Sequence, residues 1–245
     1  MILSKKEMPT KSSDLKISKK SRVKRLVFWL IIDFIVAVAV FGFLKCRPSR
    51  YQPLDPNVGN YEPGKVSQYL THKLSPQFYN NLQRRKPFKL VVTQDGVNDI
   101  ISRANWPIQS EGILLYAPAA LFVPDSVVLM GTANVKGVEF VITIELEPQI
   151  DEKGYLNVQV KKVKVGAMNI TPLAKMIAKK MYSERIAVFD IDEQALQTQI
   201  AASLLNNEPF EPVFEIDGKT LRIEDIAVSQ GELIIQFIPV LKQGL

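Results

Sequence analysis

The chain has 245 residues, 47% of them hydrophobic, a formal net charge of +6, one cysteine and one histidine. A single cysteine excludes an intrachain disulfide and a cysteine-based structural zinc site. The positive balance is confined to the first 25 residues, where Lys5, Lys6, Lys11, Lys16, Lys19, Lys20, Arg22, Lys24 and Arg25 face only Glu7 and Asp14 without an interleaved aromatic, a pattern suited to anionic lipid headgroups and not to nucleic acid.

In chain order, residues 1–25 are Lys/Ser-rich without apolar periodicity and are expected as a disordered cytoplasmic tail. Residues 26–44, LVFWLIIDFIVAVAVFGFL, hold one charge, Asp33, and no proline. As a helix they span roughly 28 Å, close to a hydrocarbon core of about 30 Å, so one transmembrane helix is expected. The excess of bases before it keeps the N-terminus cytoplasmic and puts the remainder on the extracellular side of the cell membrane. A cleaved signal peptide with a site at Ala37-Val38-Ala39 is the rival, against which the apolar run continues to Leu44. Lys45 before Cys46 makes a poor lipoprotein signal. Asp33 lies within two turns of the cytoplasmic end and reads as headgroup-accessible.

Residues 45–87 begin with Pro48, Pro53, Pro56 and Pro63, which prevent a continuous helix and predict an extended stalk. Val66, Tyr69, Leu70, Leu74 and Phe78 then predict a short amphipathic helix over 65–82, interrupted near Pro76.

The extracytoplasmic domain is expected over 88–245. Residues 88–93 read as a strand, followed by a helix over 94–101 with Thr93 or Asp95 as its cap. Asp95 and Asp99, one turn apart, read as a solvated face and not an acid/base pair. From Val127 to Val165 the pattern predicts a three-strand antiparallel meander. Val138, Phe140, Ile142, Ile144 and Leu146 alternate with Glu139, Val141, Thr143, Glu145 and Glu147, so half of the middle strand is expected to face water. In the third strand Leu156, Val158 and Val160 keep one parity and Val163 and Val165 the other. An extra residue at Lys161-Lys162 restores a common face and bends the strand.

Thr171 as N-cap and Pro172 at the first helical position open a helix to about Tyr182, with Leu173, Met176, Ile177, Lys180 and Met181 as its stripe. A second helix is expected from Asp190 or Asp192 to Asn206-Asn207, with Leu196, Ile200, Leu204 and Leu205 inward. Val213–Ile216, Leu221–Val228 and Leu233–Val240 predict a second antiparallel set.

Three runs carry a resemblance: Val92-Thr93-Gln94-Asp95-Gly96-Val97-Asn98-Asp99-Ile100-Ile101, the turn Pro148 to Gly154 into Tyr155-Leu156-Asn157-Val158, and Val163-Lys164-Val165-Gly166-Ala167-Met168-Asn169-Ile170-Thr171-Pro172. They resemble the YpmS family of bacterial single-pass membrane proteins. The resemblance covers 88–171 by motif and the last third by element order, while 108–125 does not align. It implies an α+β domain similar to the tubular lipid-binding (TULIP) class, a strongly curved antiparallel sheet wrapped on two or three helices with an apolar groove.

The functional expectation is a binding module and not an enzyme. His72 beside Lys73 reads as a surface histidine, and no nucleophile elbow, phosphate loop or paired-histidine metal motif occurs. No cofactor or metal is expected, and Asp151-Glu152-Lys153-Gly154 reads as a hairpin tip. The candidate apolar groove comprises Phe140, Ile142, Ile144, Leu156, Val158 and Val160 on the sheet and Leu173, Met176, Ile177 and Met181 on the helix, with the bilayer and a lipid or acyl chain as partners. The alternative is an envelope protein–protein interaction module with a filled core. An envelope hydrolase built on His72 is the third reading.

Overall fold

The computed structural model describes residues 14–54, 66–110, 112–188 and 196–240, with backbone alone for 14–23, 181–188 and 197. Two compact units divide between Phe43 and Leu44. The first holds most of a single helix, α1 (Asp14–Lys45). Its stretch Lys24–Lys45 is long and apolar enough to cross a bilayer and is buried nowhere in the protein. Leu26, Trp29 and Phe34 are each at least 60% exposed, so apolar side chains are exposed around the helix. Among the described residues the helix is already formed at Asp14, twelve residues before the apolar run, which corrects the expectation of a disordered tail over 14–25. Adding a residue to an existing helix gains a hydrogen bond without a new nucleus, and Lys, Leu and Ile continue a helix readily.

The second unit is α+β, with two open antiparallel sheets. The smaller has the order β1 (Phe88–Thr93), β10 (Glu232–Val240), β9 (Lys219–Ser229), β8 (Val213–Ile216). The larger runs β2 (Ile108–Ser110), β3 (Ile113–Val123), β4 (Ser126–Val135), β5 (Val138–Ile150), β6 (Leu156–Val165), β7 (Met168–Asn169). The expected meander is therefore the centre of a six-stranded sheet. The expected bulge is there as well: Glu145 pairs Lys162 and Leu146 pairs Val160, leaving Lys161 without an opposite residue. The tip Asp151–Gly154 is a turn, with Asp151 Oδ1 accepting from the amides of Lys153 and Tyr155 at 2.9 Å.

The smaller sheet is packed by a π-helical turn (Leu70–Leu74) running into α2 (Ser75–Gln83), where Pro76 sits in the first turn. Phe78, Phe88, Phe214 and Phe237 meet there as edge-on and stacked rings 5.2–6.0 Å apart, around a core of Leu82, Leu90 and Leu221. The second core is smaller: Tyr51 with Ala119, Met130 and Val141 of the larger sheet. This corrects two expectations. The segment 45–54 does not stand off as a stalk, because Tyr51 is 4% exposed and is fixed at both ends of its ring. Its hydroxyl donates to Ala117 O (2.5 Å) and lies 2.8 Å from Thr132 Oγ1, while the Arg47 guanidinium stacks over the ring. And the Glu139/Val141/Thr143/Glu145 face of β5, expected to meet water, is covered at Val141 by that ring.

The outer strands β2 and β7 are too short to shield their neighbours, and side chains finish the edges. On β3, Asn98 of α3 (Gln94–Ser102) donates to Ala120 O at 2.8 Å and accepts from Ala120 N at 2.7 Å. One turn earlier Gln94 Oε1 accepts from Phe122 N at 3.0 Å. On β6, Phe210 exchanges two backbone bonds with Leu156, and Ser203 Oγ of α5 (Leu196–Asn206) accepts from Val158 N at 2.8 Å. Thr171, expected as a cap of α4 (Thr171–Val188), turns its hydroxyl to the strand instead and accepts from Val163 N at 2.8 Å. The expected start of α5 at Asp190 or Asp192 lies outside the described residues.

Candidate apolar binding site

Cross-strand partners project to the same side of a sheet, so the register assigns the expected groove residues. Ile142 pairs Val165, Ile144 pairs Val163, Leu146 pairs Val160, Pro148 pairs Val158 and Ile150 pairs Leu156. Phe140, Ile142 and Ile144 therefore share a face with Leu156, Val158 and Val160, and through β4 with Ala133, Gly131 and Leu129. The face is apolar across four strands, since Leu115 and Phe122 of β3 continue it.

Its cover is uneven. Near the β3–β4 hairpin the smaller sheet's β9 packs against β3, β4 and β5, and Phe122 is 2% exposed. At the other side α4 and α5 pack on β6, and Leu156 and Val163 are buried. Between them Phe140, Ile142, Ile144, Val158 and Val160 are only half-buried, and Leu129, opposite Ile144, is 39% exposed. Gly131 beside Ile142 lowers the floor at this point, since a Cβ there would meet nothing closer than Tyr116 O at 3.8 Å.

The helical half of the expected groove does not close on this face. Leu173, Met176 and Ile177 of α4 are exposed at 49%, 65% and 48%. Leu156 is thus buried, the other sheet residues are half-buried and the helix stripe is exposed, where the expectation had sheet and stripe facing each other. Met181 lies outside the residues whose side chains are described. Sequence reasoning missed Tyr51 and assigned Val141 to the water-facing side of its strand. An aromatic ring inside a proline-rich segment and a lone valine among Glu139, Thr143 and Glu145 were the available signals, and they find each other in the fold.

Asp99 and Tyr116, near the larger sheet, have structural partners. Asp99 loses some preference for its charge through burial, but hydrogen bonds from Ser67 and from Arg103 Nε (2.9 Å) outweigh this and hold its carboxyl below the ordinary carboxylate value. Tyr116 donates to Glu139, and this bond pushes its phenol up to about 12. His72 is exposed on the π-helical turn. A second recess of about 370 Å³ opens beside the β2–β3 corner, walled by Leu54, Trp106, Pro107, Leu114, Tyr116 and Pro118. Among the described residues no group of three or more His, Cys, Asp or Glu converges as a metal site.

Comparisons with protein-family models, with curated proteins and with solved structures each return no match.

Proposed function

We propose that this chain is a membrane-anchored module, YpmS-like and TULIP-like in character, that holds an acyl chain or similar apolar ligand on the extracytoplasmic side, without catalysis. The observation that supports it is the band Leu129, Phe140, Ile142, Ile144, Val158 and Val160, which is apolar over several strands yet only half-covered. A packed core has no reason to stop short of the middle of its own sheet, because covering this band would add about 25 cal/mol per Å² removed from water. The exposed stripe Leu173, Met176 and Ile177 adds adaptable apolar surface beside it. In this reading α1 is an uncleaved anchor, and the ligand enters from, or is delivered to, the bilayer.

One alternative, a protein-interaction module, is weakened at the strand edges. Asn98, Gln94, Ser203 and Phe210 occupy the backbone groups that strand addition uses. The test is uptake of a fluorescent fatty acid by the purified chain. Wild type is expected to bind, and Ile142→Trp and Ile144→Trp to fold with unchanged thermal midpoint and lose uptake. Correctly folded wild type that takes up no lipid, together with no lipid retained in native mass spectrometry, overturns the reading.

A further inference from the structure

The other face of the larger sheet carries a cleft of a different chemistry. Cys46 to Arg50, the chain's path into the domain, stand over β3 to β6 and enclose about 440 Å³. The floor is apolar, with Leu121, Val128 and Met130, and the rim is cationic, with Arg50, Lys162 and Lys164 against the single carboxylate of Glu145. The register produces this crowding: Lys162 pairs Glu145 and Lys164 pairs Thr143, so both lysines project beside Thr143 on the Tyr51 face. Lys161, the bulged residue, is neutralised by Glu147 at 2.5 Å, whereas Arg50, Lys162 and Lys164 form no ion pair among the described residues.

Thr143 supplies an independent observation. It lines the cleft, and its Oγ1 is buried without a hydrogen-bond partner among the described residues. Buried hydroxyls are nearly always paired, and this one sits where three cations converge. The chain's connectivity supplies another. Cys46 follows directly on Lys45, the end of α1, and Arg50 is five residues from that end. Five residues reach at most roughly 18 Å when fully extended, and each headgroup layer is about 5–8 Å deep. With α1 as the anchor, the chain length therefore keeps Arg50 within that reach of the helix end.

We propose that this cleft binds the phosphate of an anionic phospholipid of the anchoring bilayer. Arg50, Lys162 and Lys164 balance the charge, the Thr143 hydroxyl turns to donate to a phosphoryl oxygen, and the glycerol rests on Leu121, Val128 and Met130. The inference takes α1 as the anchor but is independent of the acyl-chain reading, which concerns the opposite face.

The experiment uses the full chain in a neutral maltoside detergent and reads its thermal midpoint on adding short-chain phosphatidylglycerol, phosphatidylcholine of the same chain length, or inorganic phosphate. Phosphatidylglycerol is expected to raise the midpoint by several degrees in a saturable way, and the other two by under about a degree at equal concentration. Lys162→Gln with Lys164→Gln should keep the unliganded midpoint and abolish the shift. Arg50→Gln, which lies outside the strands, gives the same reading if the double variant folds poorly. Thr143→Val should reduce the shift without lowering the unliganded midpoint. Equal shifts with both lipids, or a shift untouched by Arg50→Gln, overturn the proposal. A response to inorganic phosphate as large as that to phosphatidylglycerol overturns the lipid source and assigns a free anion. Ile144→Trp separates the two faces, since it should block fatty-acid uptake and leave the phosphatidylglycerol shift intact.

Discussion

Gly96 is a residue whose absence of a side chain is required by a contact and not by backbone torsion. A Cβ built there would come 2.3 Å from the Tyr69 ring, and the Tyr69 hydroxyl in turn accepts from Thr93 N at 2.9 Å. Gly96→Ala is therefore expected to destabilise by about 1–3 kcal/mol through overpacking, despite alanine's better helix propensity. A denaturation cycle with Tyr69→Leu checks it, because the two substitutions should be strongly non-additive if the ring is the obstacle. Two positions along, Asn98 pairs with both backbone groups of Ala120, so Asn98→Asp loses a donor and sets a carboxylate against Ala120 O. Asp99 gives a pH prediction. Its carboxyl titrates lower in the folded state than in the unfolded one, so its stabilising contribution is complete above about pH 4, the ordinary carboxylate range, and is lost as pH falls through the depressed folded value. Urea midpoints measured from pH 7 down to pH 2 should show a steeper acid limb for wild type than for Asp99→Asn. Identical limbs would show that Ser67 and Arg103 do not hold the charge.

Among the elements, the segment 44–54 and the strand β6 show what local pattern discloses and what it does not. The bulge at Lys161 was legible because parity is strictly two-fold in a strand: apolar residues that change parity require one unpaired residue if they are to share a face. Deleting Lys161 should turn Leu156, Val158 and Val160 to the cationic face, and a loss of cooperative unfolding in circular dichroism is the expected result. The meander, the second antiparallel set and the Thr93 cap were legible for the same reason, each being decided within a few neighbouring residues. Tyr51 was not, because proline density predicts backbone shape and says nothing of where an aromatic ring docks 66 residues away on Ala117. The groove was half legible: register fixes which strand residues share a face, but whether Leu173 and Met176 close over them depends on a helix placement that no periodicity encodes. Tyr51→Ala should cost about 3–5 kcal/mol, comparable to other buried aromatic truncations. Tyr51→Phe should cost about 1 kcal/mol for its hydrogen bonds. Guanidinium midpoints of the two variants decide whether this segment is part of the folded unit; no change in either would return it to the role of a spacer.

For the whole molecule the governing asymmetry is charge across α1. The stretch Lys24–Lys45 rises roughly 33 Å as a helix, enough for the hydrocarbon core, and its ends differ mainly in the bases that precede it. Lys19, Lys20, Arg22, Lys24 and Arg25 crowd one end, while Lys45, Arg47 and Arg50 follow the other, so the charge difference predicts a cytoplasmic N-terminus by a modest margin. The cation–π contact of Arg47 over Tyr51 does not remove its charge, but the fold holds both Arg47 and Arg50 in the domain. Protease added to intact cells is therefore expected to remove an epitope placed after Gln243 and to spare one placed at the N-terminus. Replacing Lys19, Lys20, Arg22, Lys24 and Arg25 with glutamine should make part of the population resistant at the C-terminal epitope, because only the more distant Lys5, Lys6, Lys11 and Lys16 then remain against the three bases just beyond the helix and the orientation signal is nearly balanced. A cleaved leader predicts a different outcome for the same experiment: the N-terminal epitope would be absent from the full-length band, and the mature chain would fractionate without the membrane. Retention of both epitopes on one membrane-bound species, with the C-terminal one accessible, is the result that an uncleaved anchor requires.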